Sequence, residues 1–219
     1  MDHKTLQDTL DGAGLTAEQA RFAGSAINHG AHQLATHGHV PLQALILTNP
    51  EDGSDPGIML AACPVVEDQQ TKALFMETVR FLAHKEDSRT VAILMEAWTA
   101  PDMKRERFQE LLEEHGSISN MPGAGEAVCV LVNSEEGNHQ VQMTIVRDEQ
   151  GNVTDLSDIT ATVDKDGEMS GFMLHSRYSP EETGDPGFPL RLIEIESYLE
   201  GRMTDIEPDG EGNPGGHLN

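Results

Sequence analysis

The second half of the chain consists of three β-rich stretches that are separated by short polar tetrads. The stretches cover residues 126–133, 141–147 and 153–174. The tetrads between them are Glu-Glu-Gly-Asn at 135–138 and Asp-Glu-Gln-Gly at 148–151. Glycine, asparagine and aspartate tolerate the positive φ angles of tight hairpin turns. We therefore expect an antiparallel β-meander in the C-terminal half, and this expectation restricts the fold more than any other feature.

The first half alternates between helical and strand patterns. Residues 16–36 and 67–86 place apolar side chains at mostly helical intervals, which predicts two amphipathic helices. Residues 40–48 and 58–63 are apolar runs on either side of an acidic turn, which predicts a β-hairpin. Together these patterns predict a single α+β domain over residues 1–203, with both helices packed on one face of a mostly antiparallel sheet.

A third apolar run, Val91-Ala92-Ile93-Leu94-Met95, lacks the alternation of a half-exposed strand. Such a run suits a central strand that is covered on both faces, or on one face and by an insertion. Further helices are expected at 103–115 and 190–199. Residues 204–219 are rich in glycine, proline and acid, and this composition predicts a disordered acidic tail.

The chain is strongly acidic, with 38 Asp and Glu against 14 Lys and Arg and a formal charge of −24. This charge repels phosphate backbones and anionic lipids, so we expect neither direct nucleic-acid binding nor membrane binding. Three explanations stay open. The acids form an ordinary solvated surface, they adapt the protein to a salty cytoplasm, or they mimic nucleic acid and capture basic partners.

The N-terminal segment and the cysteines indicate a compartment. Residues 1–4 lack the apolar stretch of a secretory signal, and no window approaches the roughly 18 apolar residues that span a bilayer. Cys63 and Cys129 each lie inside an apolar run, which predicts buried, reduced thiols. We expect a soluble cytoplasmic protein.

The best candidate for a metal site is a group of four histidines, His29, His32, His37 and His39, out of ten in the chain. On a helix the first two share a face and the others follow at its end, so three ring nitrogens are able to meet one zinc or nickel ion. The alternative is a set of polar side chains at a helix C-terminus, where the dipole favours imidazolium. Neither a carboxylate nor a thiolate follows at the spacing of a known zinc signature, so no catalytic residue and no definite cofactor are assigned.

A second candidate is the pair Glu96 and Trp98 at the end of the third predicted strand. Residues two apart on a strand project to the same face, so a carboxylate would lie beside a large ring in a possible binding pocket. The alternative is a tryptophan at the edge of the core next to a solvated glutamate.

Three segments together carry a resemblance. They are His37-Gly38-His39-Val40-Pro41, Glu96-Ala97-Trp98 and Ile145-Val146-Arg147-Asp148. They resemble a loose group of short bacterial and phage-encoded proteins of unknown function, which share a His-Gly-x-x-Pro step, a hairpin, a helix and a Glu-Ala-Trp strand. The similarity covers residues 25–150 and implies no activity, cofactor or ligand.

Three functions follow as expectations. The leading one is a non-enzymatic interaction protein that binds a protein partner or itself, because the catalytic motifs fail and the edges of the meander are able to pair with another subunit. The second is a small metal-dependent enzyme that uses the four histidines, with Glu96 as a base. The third is an acidic nucleic-acid mimic that inhibits a host or defence protein.

Overall fold

The computed structural model describes residues 3–49, 56–63, 69–101, 103–134, 137–164 and 177–204. They belong to two compact units, of which the first ends at Arg177 and the second begins at Tyr178. Each unit is described by itself. The single domain expected over residues 1–203 stays a prediction, and the tail expected at 204–219 lies, apart from Thr204, outside the described residues.

The first unit alternates helices with strands before it ends in consecutive strands. Its helices are α1 (His3–Gly12), α2 (Ala17–His37), α3 (Gln69–Lys85) and α4 (Arg105–His115), followed by a short 3-10 helix (Ile118–Asn120). Its strands are β1 (Gln43–Leu47), β2 (Ile58–Ala62), β3 (Thr90–Thr99), β4 (Gly125–Ser134), β5 (Gly137–Arg147) and β6 (Val153–Asp164).

The six strands form one antiparallel sheet in the order β2-β1-β3-β4-β5-β6. The hairpin predicted in the first half is β1 with β2, and the predicted meander is β4 to β6, although residues 165–174 of its third stretch lie outside the described residues. The α+β class with an antiparallel sheet and a C-terminal meander is therefore confirmed. Among the described strands, β2 and β6 are the two edges of the sheet.

Helices cover both faces of the sheet, which corrects the expectation that they pack on one face. α1 and α2 pack against a face that includes Leu45 and Ala92. α3 packs against Ile46 and Val91. Because neighbouring residues of a strand point to opposite faces, α3 lies opposite to α2. The unbroken apolar run of β3 requires this arrangement, since its alternate side chains need cover on both sides.

Helix α2 is fixed at both ends and in its middle. It begins with a capping box in which the Thr16 side chain and Gln19 bond each other's backbone amides, and it ends at Gly38 in the left-handed conformation, with φ 76°. Gly30 is buried against the sheet, and a Cβ there would lie 2.8 Å from Cγ1 of Val128. The close approach at Gly30 sets α2 directly on the middle of β3 and β4, where Leu94 and Val128 lie.

The second unit contains two helices, α5 (Pro180–Thr183) and α6 (Phe188–Thr204). The rings of Tyr178 and Phe188 meet edge to face with centroids 4.8 Å apart, and the guanidinium of Arg191 lies 5.5 Å from the centre of the Tyr178 ring. These contacts pack the start of α6 against the segment before α5. Within the described ranges, no helix is both long enough and apolar enough to cross a bilayer.

Candidate interaction surface

The four histidines of the predicted metal site lie at the C-terminal end of α2 and just after it. His29 is half-buried, and its Nε2 donates a hydrogen bond to Oε1 of Gln43 at 3.2 Å. Gln43 is itself buried and exchanges hydrogen bonds with Gln33 through both side-chain amide atoms. The ring of His29 therefore takes part in a polar contact between α2 and β1.

The other three histidines, His32, His37 and His39, are exposed. Nδ1 of His39 lies 3.2 Å from the carbonyl oxygen of His37, a contact within the turn that follows α2. Across the described ranges, no group of three or more His, Cys, Asp or Glu side chains is arranged to hold a metal ion. A zinc or nickel site built on these residues stays a prediction.

A charged cluster lies where α2 ends above the sheet. Nη2 of Arg147 donates to Oε1 of Glu96 at 2.7 Å, and its Nε donates to Oε2 of Glu126 at 2.5 Å. Nη1 of Arg147 also reaches the carbonyl oxygen of Gly38 at 3.4 Å, while the amide of Val40 donates to Oε2 of Glu96 at 3.1 Å. The cluster thus joins the C-terminal turn of α2 to β3, β4 and β5.

The two carboxylates stabilise the charge on Arg147. Its pKa is raised above the ordinary value, first by the hydrogen bond to Glu126 and further by the charges of Glu126 and Glu96. The three segments that carry the sequence resemblance, 37–41, 96–98 and 145–148, all contribute to this cluster. Sequence reasoning named Glu96 but missed the pairing with Arg147 and Glu126.

Trp98 lies beside this cluster, directly opposite Glu126 in the β3–β4 register. Its side chain is 47% exposed, and by strand alternation it shares a face with Glu96. Because Glu96 is bound to Arg147, it is a structural ion-pair partner and not the freely solvated glutamate of the alternative interpretation. A binding pocket at Glu96 and Trp98 stays a prediction.

The edge strand β2 presents its backbone groups outward in a regular pattern. Hydrogen bonds of 3.0 and 2.9 Å join the carbonyl of Gly57 and the amide of Cys63 to the residues that flank β1. In an antiparallel strand, both backbone groups of a residue point to the same side, and that side alternates along the chain. The N–H and C=O groups of Ile58, Leu60 and Ala62 therefore point away from β1. In the described part of the chain, no strand lies beyond them.

The side chains of β2 on the α2 face of the sheet are apolar and only partly covered. Ile58 and Leu60 are each 49% exposed, and Leu60 lies opposite buried Leu45 on the face that α2 covers further along the sheet. Residues 56–63 contain no charged side chain, although the chain carries a formal charge of −24.

The sheet edge, the charged cluster and the histidine segment are thus the features from which function can be argued. Sequence reasoning had placed a pairing edge in the meander, whereas the most apolar edge belongs to the hairpin. Comparison of the chain with protein-family models, with curated proteins and with solved structures yields no match.

Proposed function

We propose that this chain is a non-enzymatic interaction protein and that it binds a strand of a protein partner along the outer edge of β2. The observation that carries the proposal is an uncharged edge strand with two half-exposed aliphatic side chains in a chain of charge −24. Soluble proteins normally protect such an edge with lysine, proline, a bulge or a covering segment. An edge without charge or bulge is suited to accept another strand.

The chemistry of strand addition matches what β2 offers. The outward N–H and C=O groups of Ile58, Leu60 and Ala62 supply main-chain hydrogen bonds, which give affinity for any extended segment. The side chains of Ile58 and Leu60 supply selectivity for apolar residues. Covering the exposed half of each would contribute about 1 kcal/mol, since full burial of such a side chain is worth about 1.5–3 kcal/mol.

We place this activity in the cytoplasm. Cys63 and Cys129 are both buried thiols outside any disulfide, and burial raises the pKa of the Cys129 thiol to about 11. A thiol of raised pKa is poorly reactive at neutral pH, and reduced cysteines are typical of the cytoplasm.

Amide hydrogen exchange followed residue by residue tests the proposal. The probe is a short, blocked peptide that alternates valine and threonine, and the control peptide carries proline at its centre. We expect the valine–threonine peptide to slow exchange at Ile58, Leu60 and Ala62. Met59 and Ala61 serve as internal references, because their amides already face β1 and should stay protected throughout.

Two results would overturn the proposal. The first is unchanged exchange at the three outward amides with the valine–threonine peptide, with a peptide of the β2 sequence and with rising concentration of the protein itself. The second is equal protection by the proline control, because proline cannot donate to the ladder and should pair poorly.

A further inference from the structure

We infer that the strand accepted by β2 is β2 of a second copy of this chain, paired antiparallel with Leu60 opposite Leu60. The inference rests on the proposed function and names its partner. Three properties of residues 58–62 support it: the direction of the backbone groups, the sizes of the side chains and the distribution of charge.

The backbone directions fit a two-fold axis through Leu60. Antiparallel pairing around this residue places Ile58 opposite Ala62 of the second copy, so all three outward-facing residues form hydrogen-bonded pairs. This arrangement would add about six main-chain hydrogen bonds. A register shifted by two residues would leave either Ile58 or Ala62 without a partner. Two-fold dimers with self-complementary contacts are also the commonest oligomers of soluble proteins.

The side chains are self-complementary in the same register. On the face shared with α2, Ile58 meets the small Ala62 and Leu60 meets its own copy. On the opposite face, Met59 meets the small Ala61. A large residue therefore faces a small one on both sides of the central leucine pair, and residues directly opposite each other are the pairs that stabilise a sheet.

Charge favours a second copy at this edge over a basic strand. The overall charge of −24 attracts basic partners in general, but residues 56–63 provide no carboxylate to pair with lysine or arginine. Two copies repel each other over most of their acidic surfaces. The repulsion is weakest at the neutral strand β2, so this is where they can approach. The opposite edge, β6, carries Asp155 and Asp158 and would bring like charges together.

The first test is the mass of the protein in solution, measured by light scattering after size-exclusion chromatography over a range of concentrations. We expect a dimer whose dissociation constant rises at least about tenfold in Leu60→Lys, since a lysine pair would lie on the two-fold axis. The matched control is Val146→Lys. Val146 is also a half-exposed aliphatic residue, 39% exposed, but it lies on β5 inside the sheet. Ile58→Lys is a second edge variant in case Leu60→Lys does not fold.

The second test fixes the register by disulfide formation. Ile58→Cys and Ala62→Cys are made as separate variants and oxidised alone or mixed. Residues in a hydrogen-bonded pair have Cα atoms about 5.5 Å apart, within reach of a disulfide. Two copies of residue 58 would lie about 14 Å apart. We therefore expect cross-linking in the mixture and not in either variant alone, with the wild type as the control for Cys63 and Cys129.

The outcomes distinguish failure of the second-copy inference from failure of the proposed strand-binding function. A strict monomer, a dimer unaffected by both edge variants, or equal cross-linking in mixed and single samples would overturn the second-copy inference. If the valine–threonine peptide still protects the outward amides of β2, the proposed function stands and the partner is a different protein. Tighter binding of a lysine-containing strand peptide than of the β2 peptide would also overturn the inference.

Discussion

The two edges of the sheet are built in opposite ways. β2 pairs with β1 in an unbroken register and has no charged residue. β6 pairs with β5 through two register shifts, contains Asp158 at a positive φ of 50°, and also carries Asp155. Bulges and charges are the usual means by which a sheet edge avoids pairing with other chains.

This contrast shows that an acidic composition alone does not decide where a chain interacts. With 38 acidic residues, the protein has enough charge to protect every edge, yet none falls within residues 56–63. The meander end is held by the charged cluster and protected by aspartates at its edge, whereas the outer strand of the hairpin, β2, has only apolar side chains. Variants in the charged cluster and in the β5–β6 turn, and the salt response of the β2 contact, test this difference between the two ends of the sheet.

The largest effect is expected from Arg147→Met, which removes the cation of the charged cluster. Glu96 and Glu126 would then lie near each other without a counter-charge. Loss of one partner from a fully buried ion pair costs about 3–5 kcal/mol. Because these side chains are about a quarter exposed, we expect a fall of about 2 kcal/mol in the free energy of unfolding. Urea denaturation monitored by circular dichroism measures this change in the free energy of unfolding.

The location of the damage distinguishes the two ends of the sheet. Amide exchange in Arg147→Met should accelerate first in β5 and β6, while the inward amides of β2 keep their protection. Arg147→Lys is the matched control, because it keeps the charge but loses the geometry that reaches both carboxylates. Equal loss of protection at both ends would contradict the idea that charge holds only the meander end.

Much of the fold was predictable from short-range signals. The turn tetrads at 135–138 and 148–151 predicted the meander, and the unbroken run Val91–Met95 predicted a covered central strand. The side on which α3 packs was predicted wrongly, although the same run already required cover on both faces. Strand order was harder, because β3 and β4 are joined through α4 and not through a hairpin turn.

The charged cluster was only partly accessible to sequence reasoning. In the β4–β5 hairpin, counting outward from the turn pairs Glu126 with Ile145, so Arg147 is two positions away and on the same face. The Glu126–Arg147 pair was therefore predictable from the β4–β5 hairpin. The contact with Glu96 depends on β3 lying next to β4, which no local pattern encodes. The sequence of the uncharged run 56–63 is compatible with either a buried strand or an edge strand. Only the order of strands in the sheet shows that it is an edge strand.

The second effect concerns the response of the proposed β2–β2 dimer to salt. Two copies with a charge of −24 repel each other, and the neutral β2 contact has no ion pair for salt to weaken. Raising the salt concentration shortens the Debye length from about 10 Å at 0.1 M to about 3 Å at 1 M. We expect the dissociation constant of the dimer to fall about tenfold over this interval, a change worth about 1.4 kcal/mol.

Sedimentation equilibrium in sodium chloride measures this dependence. A basic partner bound at an acidic surface such as β6 would respond in the opposite direction, because salt weakens contacts between opposite charges. Weaker self-association at high salt would therefore place the contact at a charged surface and count against β2.

The smallest effect is expected in the turn between β5 and β6. The Asp148 carboxylate accepts hydrogen bonds from the Asn152 side chain at 3.0 Å and from the amides of Asn152 and Gln150 at 2.8 and 2.9 Å. These bonds, with that to the Asn152 side chain first, lower the pKa of Asp148 below its ordinary value of 3.8. A lowered pKa adds stability that is present above pH 3.8 and is lost as the pH falls through the folded-state pKa.

Thermal unfolding from pH 6 to pH 2 should therefore show a shallower acid slope in Asp148→Asn than in the wild type. The difference in melting temperature should be largest near neutral pH and should shrink below about pH 4, since protonated aspartate then resembles asparagine in charge. Asn152→Ala keeps the carboxylate but removes its main partner, so its slope should fall between the two. Because β2 has no ionisable residue, Leu60→Thr should leave the acid slope unchanged at a protein concentration low enough for the wild type to be monomeric throughout. A change in slope with Leu60→Thr that equals the change with Asp148→Asn would mean that the two edges are not electrostatically independent.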